Sequence, residues 1–441
     1  MDKGKLDTSS LIGMGLLGAL LFWFMQTNNS DKKEETKATT EQVTPIKSVA
    51  TTNVTNDSLV SQQLKDAYGA FSYGAASSKE SDLEVKTDLQ TIVFSSKGGY
   101  IKELLINDQK RKDKNSEELV KLITENNSKL NLSFTTQDNR TINTKDMLFE
   151  PTVTTEGDKQ IVSMKLKTSE TAYLEYRYEI LKNDYMIDFS IRTVGLSSVI
   201  NSSNAPKLSW DLKAISNEKS PSYENRYTEI VFEYEEGKDD YLNAGKTSED
   251  TAEKVTYIAF KQHLFTSILL TDKAFSTAFV SQENLVEGND ETAKYLKNFK
   301  AEMPLEFQGG ELNYSMDMYF GPSDYDTLNN YDRNLDNILN LGWGIFGWLN
   351  KWLFIPIFGI LTKFIPHGIA IIIFTVVIRL IMSPVQYKSY VSQAKMKVIR
   401  PEINELNEKY KNDPMKKQQE TMKLHSKAGI NPMAGCLPML I

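Results

Sequence analysis

Residues 367–387 read HGIAIIIFTVVIRLIMSPVQY, an apolar run in which Arg379 is the only charge between Lys363 and Lys388. A helix needs roughly 20 such residues to cross a bilayer, so this stretch predicts a membrane protein. An arginine near the middle of a spanning helix costs about 2.5–3.5 kcal/mol on insertion scales, so it faces a polar cavity, pairs with a partner or reaches for the interface. The residues alone leave two readings open. One is a water-filled intramembrane site. In the other, Arg379 snorkels toward Tyr387, which lies about 12 Å further along a helix rising 1.5 Å per residue.

Working outward, charge separates the chain into parts that its formal net charge of −7 conceals. Residues 386–441 hold ten Lys/Arg against five Asp/Glu, whereas residues 26–385 hold 39 basic and 51 acidic side chains. Lys and Arg close to a span mark its cytoplasmic side, which places the basic segment inside and the acidic middle outside. A second apolar run, LIGMGLLGALLFWFM from Leu11 to Met25, sits within 23 uncharged residues between Asp7 and Asp31. No small-x-small cleavage signal follows Met25, so residues 1–30 are expected to form an uncleaved anchor. With residues 364–387 as the second span, both flanks face the cytoplasm and residues 31 to about 363 lie outside. The sole cysteine, Cys436, precludes an intramolecular disulfide, and His263, His367 and His425 are too scattered to make a metal cluster. No cofactor is expected.

The exported stretch divides by composition and period. Residues 31–81, rich in Thr, Ser, Asn, Lys and Glu, carry too little apolar surface to order themselves and are read as a flexible tether. From Asp82 to about residue 325 the apolar period is two, the mark of half-buried strands. Leu130, Leu132 and Phe134 alternate with polar residues, as do Val162, Met164 and Leu166. Leu174, Tyr176, Tyr178 and Ile180, a Lys-Asn-Asp turn, then Ile187, Phe189 and Ile191 predict a hairpin, with Glu175, Arg177 and Glu179 on the polar face. Leu312, Tyr314, Met316, Met318 and Phe320 form the last strand before Gly321-Pro322. About 240 residues of this kind predict a large antiparallel sandwich.

Between Leu341 and Lys363, Trp343, Trp348 and Trp352 cluster near Lys351 and Pro356, and the longest charge-free piece, Trp352–Thr362, is too short to span. Residues 341–363 are therefore read as an interfacial amphipathic helix anchored by those tryptophans. After the span, residues 388–430 read as a cytoplasmic helical hairpin. Val398, Ile399, Ile403, Leu406 and Tyr410 make the apolar stripe of its first helix. Asp413 caps the second, Pro414 is its first residue and Gly429 stops it. Lys395, Lys397, Arg400, Lys409, Lys411, Lys416 and Lys417 give it the charge of either a topology signal or a docking arm. The last residues, NPMAGCLPMLI (431–441), open a third apolar run, which suggests a chain that continues past Ile441.

In this order the residues resemble the YidC/Oxa class of membrane protein insertases, in its bacterial form with a large periplasmic domain. The resemblance is most specific from Ile371 onward. There IIIFTVVIRLIMSPV, the Ala394-Lys395-Met396 triplet, the Pro401 region, Asn431-Pro432, Gly435-Cys436 and Pro438 stand in family order. GGYIKELLI from Gly98 and AFKQHLF from Ala259 resemble strands of the periplasmic domain more loosely. The resemblance implies an all-β, mutarotase-like periplasmic super-sandwich on an α-helical transmembrane insertase core, of which this chain holds two spans and the start of a third. It implies a polar groove containing Arg379, through which nascent membrane proteins are inserted, folded and assembled in the inner membrane without covalent chemistry. Its implied partners are those nascent proteins, the Sec translocon, the ribosome and signal recognition particle pathway, and membrane lipids. No small-molecule substrate is implied. Members have five or six spans, so a 441-residue piece is not expected to insert proteins by itself.

Two rival classes are a membrane-anchored periplasmic glycan-binding protein and a two-span receptor. An enzyme of the sandwich would need paired acid and base groups, and the alternating stretch around His263 offers none. His263 is read as structural. A receptor explains the outer domain and the inner helices but leaves Arg379 and the run from Cys436 unused.

Overall fold

The computed structural model describes residues 57–77, 79–111, 117–235, 237–411 and 413–429. The predicted anchor (1–30), most of the tether and the run 431–441 lie outside them. The period-two segments form two antiparallel sheets. The smaller has four strands in sequence order: β1 (Asp82–Lys86), β2 (Gln90–Ser95), β3 (Ile101–Lys110) and β4 (Leu119–Ile123). The larger has thirteen. It opens with β5 (Ser128–Thr135), β6 (Thr141–Asn143), β7 (Glu150–Glu156), β8 (Lys159–Lys167), β9 (Tyr173–Leu181) and β10 (Met186–Val194). It continues with β11 (Lys207–Ile215), β12 (Glu229–Tyr234), β13 (Lys238–Tyr241), β14 (Ser248–Lys261), β15 (Phe265–Asn284), β16 (Tyr295–Pro304) and β17 (Asn313–Pro322). Their spatial order is β6-β5-β11-β16-β15-β17-β10-β9-β8-β7, with β14 on β15 and β12 between β14 and β13.

Alternation decides which side chains fill the space between the sheets. The predicted hairpin pairs Ile180 with Ile187 and Tyr178 with Phe189. Tyr176 and Tyr178 are wholly buried. Their hydroxyls donate to Thr144 Oγ1 and the Gly99 carbonyl, both at 2.9 Å, so neither polar tip is stranded in the core. Trp210 stacks on Phe260 at 4.2 Å. The Gly98-Gly99 pair turns β2 into β3 with φ of 86° and 68°, and a Cβ on Gly98 would sit 2.2 Å from the Tyr100 ring.

Three departures from the sequence reading have physical causes. Glu175, placed on the polar face, is buried, because its cross-strand neighbour Arg192 pairs with it and Ser163 donates to it. Within the range read as tether, helices α1 (Asp57–Tyr68) and α2 (Ser72–Ser77) flank Phe71, whose ring is buried against Phe134 at 5.4 Å. Phe71, with Tyr68 packed beside the core and the Asp66 carbonyl accepting from Arg140 at 3.2 Å, docks a segment whose average composition is polar. The third departure is at the other end of the domain. The short α3 (Pro221–Asn225) connects β11 to β12, and after β17 the chain forms α4 (Tyr325–Asn329) and a 3-10 turn, Leu335–Ile338. Leu328, Leu335 and Ile338 bury there with Tyr257, Leu270 and Tyr319, so the packed unit extends past residue 325.

Beyond it come α5 (Ile345–Leu349), a π-helical turn (Asn350–Phe354) and α6 (Ile355–Phe364), which follow one another without a break. Ile365 is extended ahead of Pro366, the conformation a following proline favours, and the chain reverses into α7 (His367–Lys409). At 43 residues α7 is about 64 Å long, roughly twice a hydrocarbon core. The stretches read as span and first hairpin helix form one continuous helix, with Pro384 and Pro401 inside it. A turn at Tyr410–Asp413 leads to α8 (Pro414–Lys427).

Candidate functional site

Arg379 lies in the first third of α7 and is exposed; among the described residues it makes no hydrogen bond or ion pair. Its surroundings on the helix are more informative than the residue itself. Thr375 and Ser383 stand one turn to either side and Gln386 two turns on, all within about 40° of Arg379 around a helix of 3.6 residues per turn. Ala370 and Phe374 lie on the opposite side, about 180° and 140° away. That side is covered: Ala370 is buried, and the Phe374 ring meets Phe354 at 5.8 Å and Phe358 at 6.0 Å. The preceding helical segment thus packs behind the arginine and leaves its polar stripe free. Thr375 Oγ1 donates to the Ile371 carbonyl at 2.7 Å, so its hydroxyl is already satisfied within the helix. The guanidinium keeps five N–H donors available.

The stripe was legible in the spacing, four, four and three residues apart, but Thr, Ser and Gln lower the apolar average too little to stand out beside an arginine.

The basic hairpin forms as predicted in outline. Asp413 accepts from the Lys416 amide at 3.0 Å, Pro414 opens α8, and Gly429 follows its end with φ of 62°. The apolar stripe consists of Ile399, Ile403, Leu406 and Tyr410, all buried or half-buried. Val398 does not belong to it. It is 76% exposed, because two adjacent residues on a helix differ by about 100° and Ile399 occupies the facing direction. Lys395, Lys397 and Arg400 project from α7, Lys409 ends it, Lys411 is in the turn, and Lys416 and Lys417 lie in the first turn of α8. All are exposed except half-buried Lys417. Lys409 and Lys416 approach the Tyr410 ring at 5.7 and 5.6 Å, so two of the seven cations gather at the hairpin tip.

Trp343, Trp348 and Trp352 are 83%, 61% and 66% exposed. Three such rings facing water would be a large apolar liability, and the headgroup region is where amphipathic indoles are at home. Ile345–Phe364 forms a helical run of 20 residues, long and apolar enough to cross a membrane, as is His367–Pro384. The charge-free piece from Trp352 is only part of the first of these runs, which also holds Lys351 and, next to its end, Lys363.

In the β-domain, His263 does have a carboxylate partner. Its Nδ1 lies 2.7 Å from Glu218 Oε1, and its ring stacks on Tyr227 at 4.5 Å. Glu218 is 45 residues away in sequence, beyond the reach of a local pattern. Behind it, burial pushes the Glu224 carboxyl up to about 7, although Ser216 Oγ and the Asn217 and Glu218 amides all donate to it. Among the described residues no group of three or more His, Cys, Asp or Glu is placed to hold a metal ion.

A large β-domain followed by two helical runs long and apolar enough to cross a membrane, the second continuing into a basic helical hairpin, is the architecture of a membrane-anchored protein with a large extramembrane domain. Residues 82–356 match the family model described as YidC periplasmic domain, and residues 360–441 the one described as 60Kd inner membrane protein. The membrane protein insertase YidC of Phocaeicola vulgatus is 33% identical over 460 residues, covering 99% of this chain and 72% of that one. The same-named protein of Parabacteroides distasonis is 31% identical, with the same coverage. Among solved structures, an active YidC insertase with its first transmembrane domain resolved is 18% identical at a TM-score of 0.33, covering 82% of this chain and 69% of that chain. A putative aldose 1-epimerase from Escherichia coli K12 is 9% identical at 0.34, covering 55% and 99%. Scores of that size carry no functional meaning. The chain belongs to the YidC family of membrane protein insertases, as the two family models and the curated relatives show. It is an inner-membrane protein whose substrates are nascent membrane proteins, and neither the glycan-binding nor the receptor reading is favoured.

Proposed function

We propose that Arg379 is the polar waypoint of the insertion path. A hydrophilic or acidic tail of the nascent protein meets the hairpin cations, Lys395, Lys397, Arg400, Lys409, Lys411, Lys416 and Lys417, and moves to Arg379. Meanwhile the apolar segment of the substrate enters lipid alongside. Transferring a polar tail into hydrocarbon in one step carries the full desolvation cost, and a charged, hydrated intermediate station divides that barrier. The observation that carries this reading is the stripe of Thr375, Arg379, Ser383 and Gln386 on the face of α7 opposite Phe374. A snorkelling arginine needs no polar neighbours on its own face. No bond is made or broken in this scheme, and the protein acts without a cofactor.

In the topology we infer, residues 1–30 anchor the chain with its N-terminus in the cytoplasm, residues 31 to about 363 are periplasmic, residues 364–387 cross and residues 388–430 are cytoplasmic. Trp343, Trp348 and Trp352 hold residues 341–363 at the outer headgroups. The Sec translocon and the ribosome with the signal recognition particle pathway are the partners that would deliver substrates, and anionic lipid is the natural contact of the hairpin. Growth rescue and substrate insertion in cells depleted of the endogenous insertase test the waypoint, using the full-length gene. Arg379→Ala is expected to lose rescue and Arg379→Lys to restore it. Full rescue by Arg379→Ala at normal protein levels would sink the proposal.

A further inference from the structure

After β17 the chain does not leave the sheet. From Asp324 to Leu339 it crosses the face turned away from the main core, burying Leu328, Leu335 and Ile338, and its polar side chains are bonded in register to the strands beneath. Tyr331 donates to Asp184 at 2.5 Å, and Arg333 bridges Asp272 and Asp317 at 3.0 and 3.3 Å. Asn334 donates to Glu233 and Asn337 to Asp239, both at 2.9 Å. A passive linker would make few such bonds, since each must offset the entropy of ordering the chain.

The junction with the next helix is closed as well. Asp336, only 8% exposed, holds the Lys351 ammonium at 2.7 Å from the π-helical turn. Asn350 Nδ2 donates back to the Leu341 carbonyl at 2.6 Å, and the Asn340 side chain accepts from the Gly342 amide at 3.0 Å. Gly342 and Gly344 have φ of 93° and 58°, and a Cβ on Gly347 would stand 2.3 Å from the Gly342 carbonyl oxygen. Here the chain folds back on its own helix so closely that a side chain does not fit.

We propose that residues 324–351 form a rigid strut that fixes the β-domain at one angle to the helical segment Ile345–Phe364, with the Asp336–Lys351 pair as its pin and the Gly342–Gly347 contact as its elbow. Losing Lys351 leaves the buried Asp336 carboxylate without its partner, and putting lysine at 336 sets two cations against each other; either opens the joint. A load on the sheet is then delivered to the membrane-flanking helix as a tilt, without being absorbed by a loop. The inference holds whether that helix lies along the bilayer or crosses it.

The test uses the full chain in lipid nanodiscs with Cys436→Ser, spin labels at Asp158→Cys and Ile360→Cys, and distance distributions from double electron–electron resonance. A narrow distribution is expected, at least doubling in width in Asp336→Lys and in Gly347→Leu, and narrowing again in the charge-swapped Asp336→Lys/Lys351→Asp chain. A second pair inside the sheet, Asp158→Cys with Glu249→Cys, should keep its distance throughout, which separates an opened joint from a misfolded domain. A broad distribution in the parent chain, no change in either single variant, or no recovery in the swap would each overturn the strut.

Discussion

At the residue scale, three charged side chains show how context sets the role of a group. Arg379 keeps its donors unengaged on a polar stripe, whereas Arg192 is committed to Glu175 and Lys297 is buried with no carboxylate bonded to it. The Lys297 ammonium donates instead to the Ala244 carbonyl at 2.5 Å and Asn284 Oδ1 at 3.2 Å, and burial pushes it down to about 8. The folded value lies below the unfolded one, so between pH 8 and roughly 10.5 the unfolded chain binds more protons and stability rises with pH. The urea midpoint of the β-domain is expected to climb from pH 7.5 to 9.5, and this climb should be absent in Lys297→Met; equal slopes in the two proteins would refute the assignment. From the sequence, Arg379 was conspicuous because one charge interrupts an apolar run. Lys297 was invisible, since a lysine in a strand otherwise reads as a solvent-facing position. Glu175 misled for the same reason, and His263 hid its partner because contacts across a sandwich leave no local spacing.

Among the elements, those whose signals are local were read well: the Tyr178–Phe189 hairpin, the Asp413 cap with Pro414, and the helical course of the apolar run from His367. Replacing Asp413 by Ala removes the acceptor for the Lys416 amide and should cost about 1 kcal/mol of hairpin stability. Faster proteolysis or amide exchange at the start of α8 than in the parent chain would register it, and unchanged exchange at Lys416 and Lys417 would show that the cap is dispensable. What composition could not resolve is the run Ile345–Phe364, whose length permits a crossing and whose tryptophans favour the interface. Cysteines at Trp348 and Ile360 should both react with a membrane-impermeant maleimide from the periplasmic side if the helix lies along the surface. Protection of Ile360→Cys with labelling of Trp348→Cys would convert it into a crossing segment. Span and first hairpin helix share one continuous helix that runs through Pro384 and Pro401, so their join is marked by charge and not by a change of secondary structure.

For the molecule as a whole, the sandwich and the basic hairpin were visible from period and charge, but the way they are connected was not. The strut depends on side chains such as Asn334 and Asn337 that, in a sequence, are indistinguishable from loop residues. Likewise α1 and α2 enlarge the packed unit through Phe71 and Tyr68, two aromatics in a stretch of polar composition. The unbroken course of α7 has its own consequence. Arg379 and Lys409 sit on one continuous helix, about 45 Å apart at 1.5 Å per residue. A cargo that tilts the cytoplasmic end by about 10° moves Lys409 through about 8 Å by that same geometry and swings the polar stripe with it. In the proposed insertion scheme, docking at the hairpin and movement of the Arg379 face are then a single displacement.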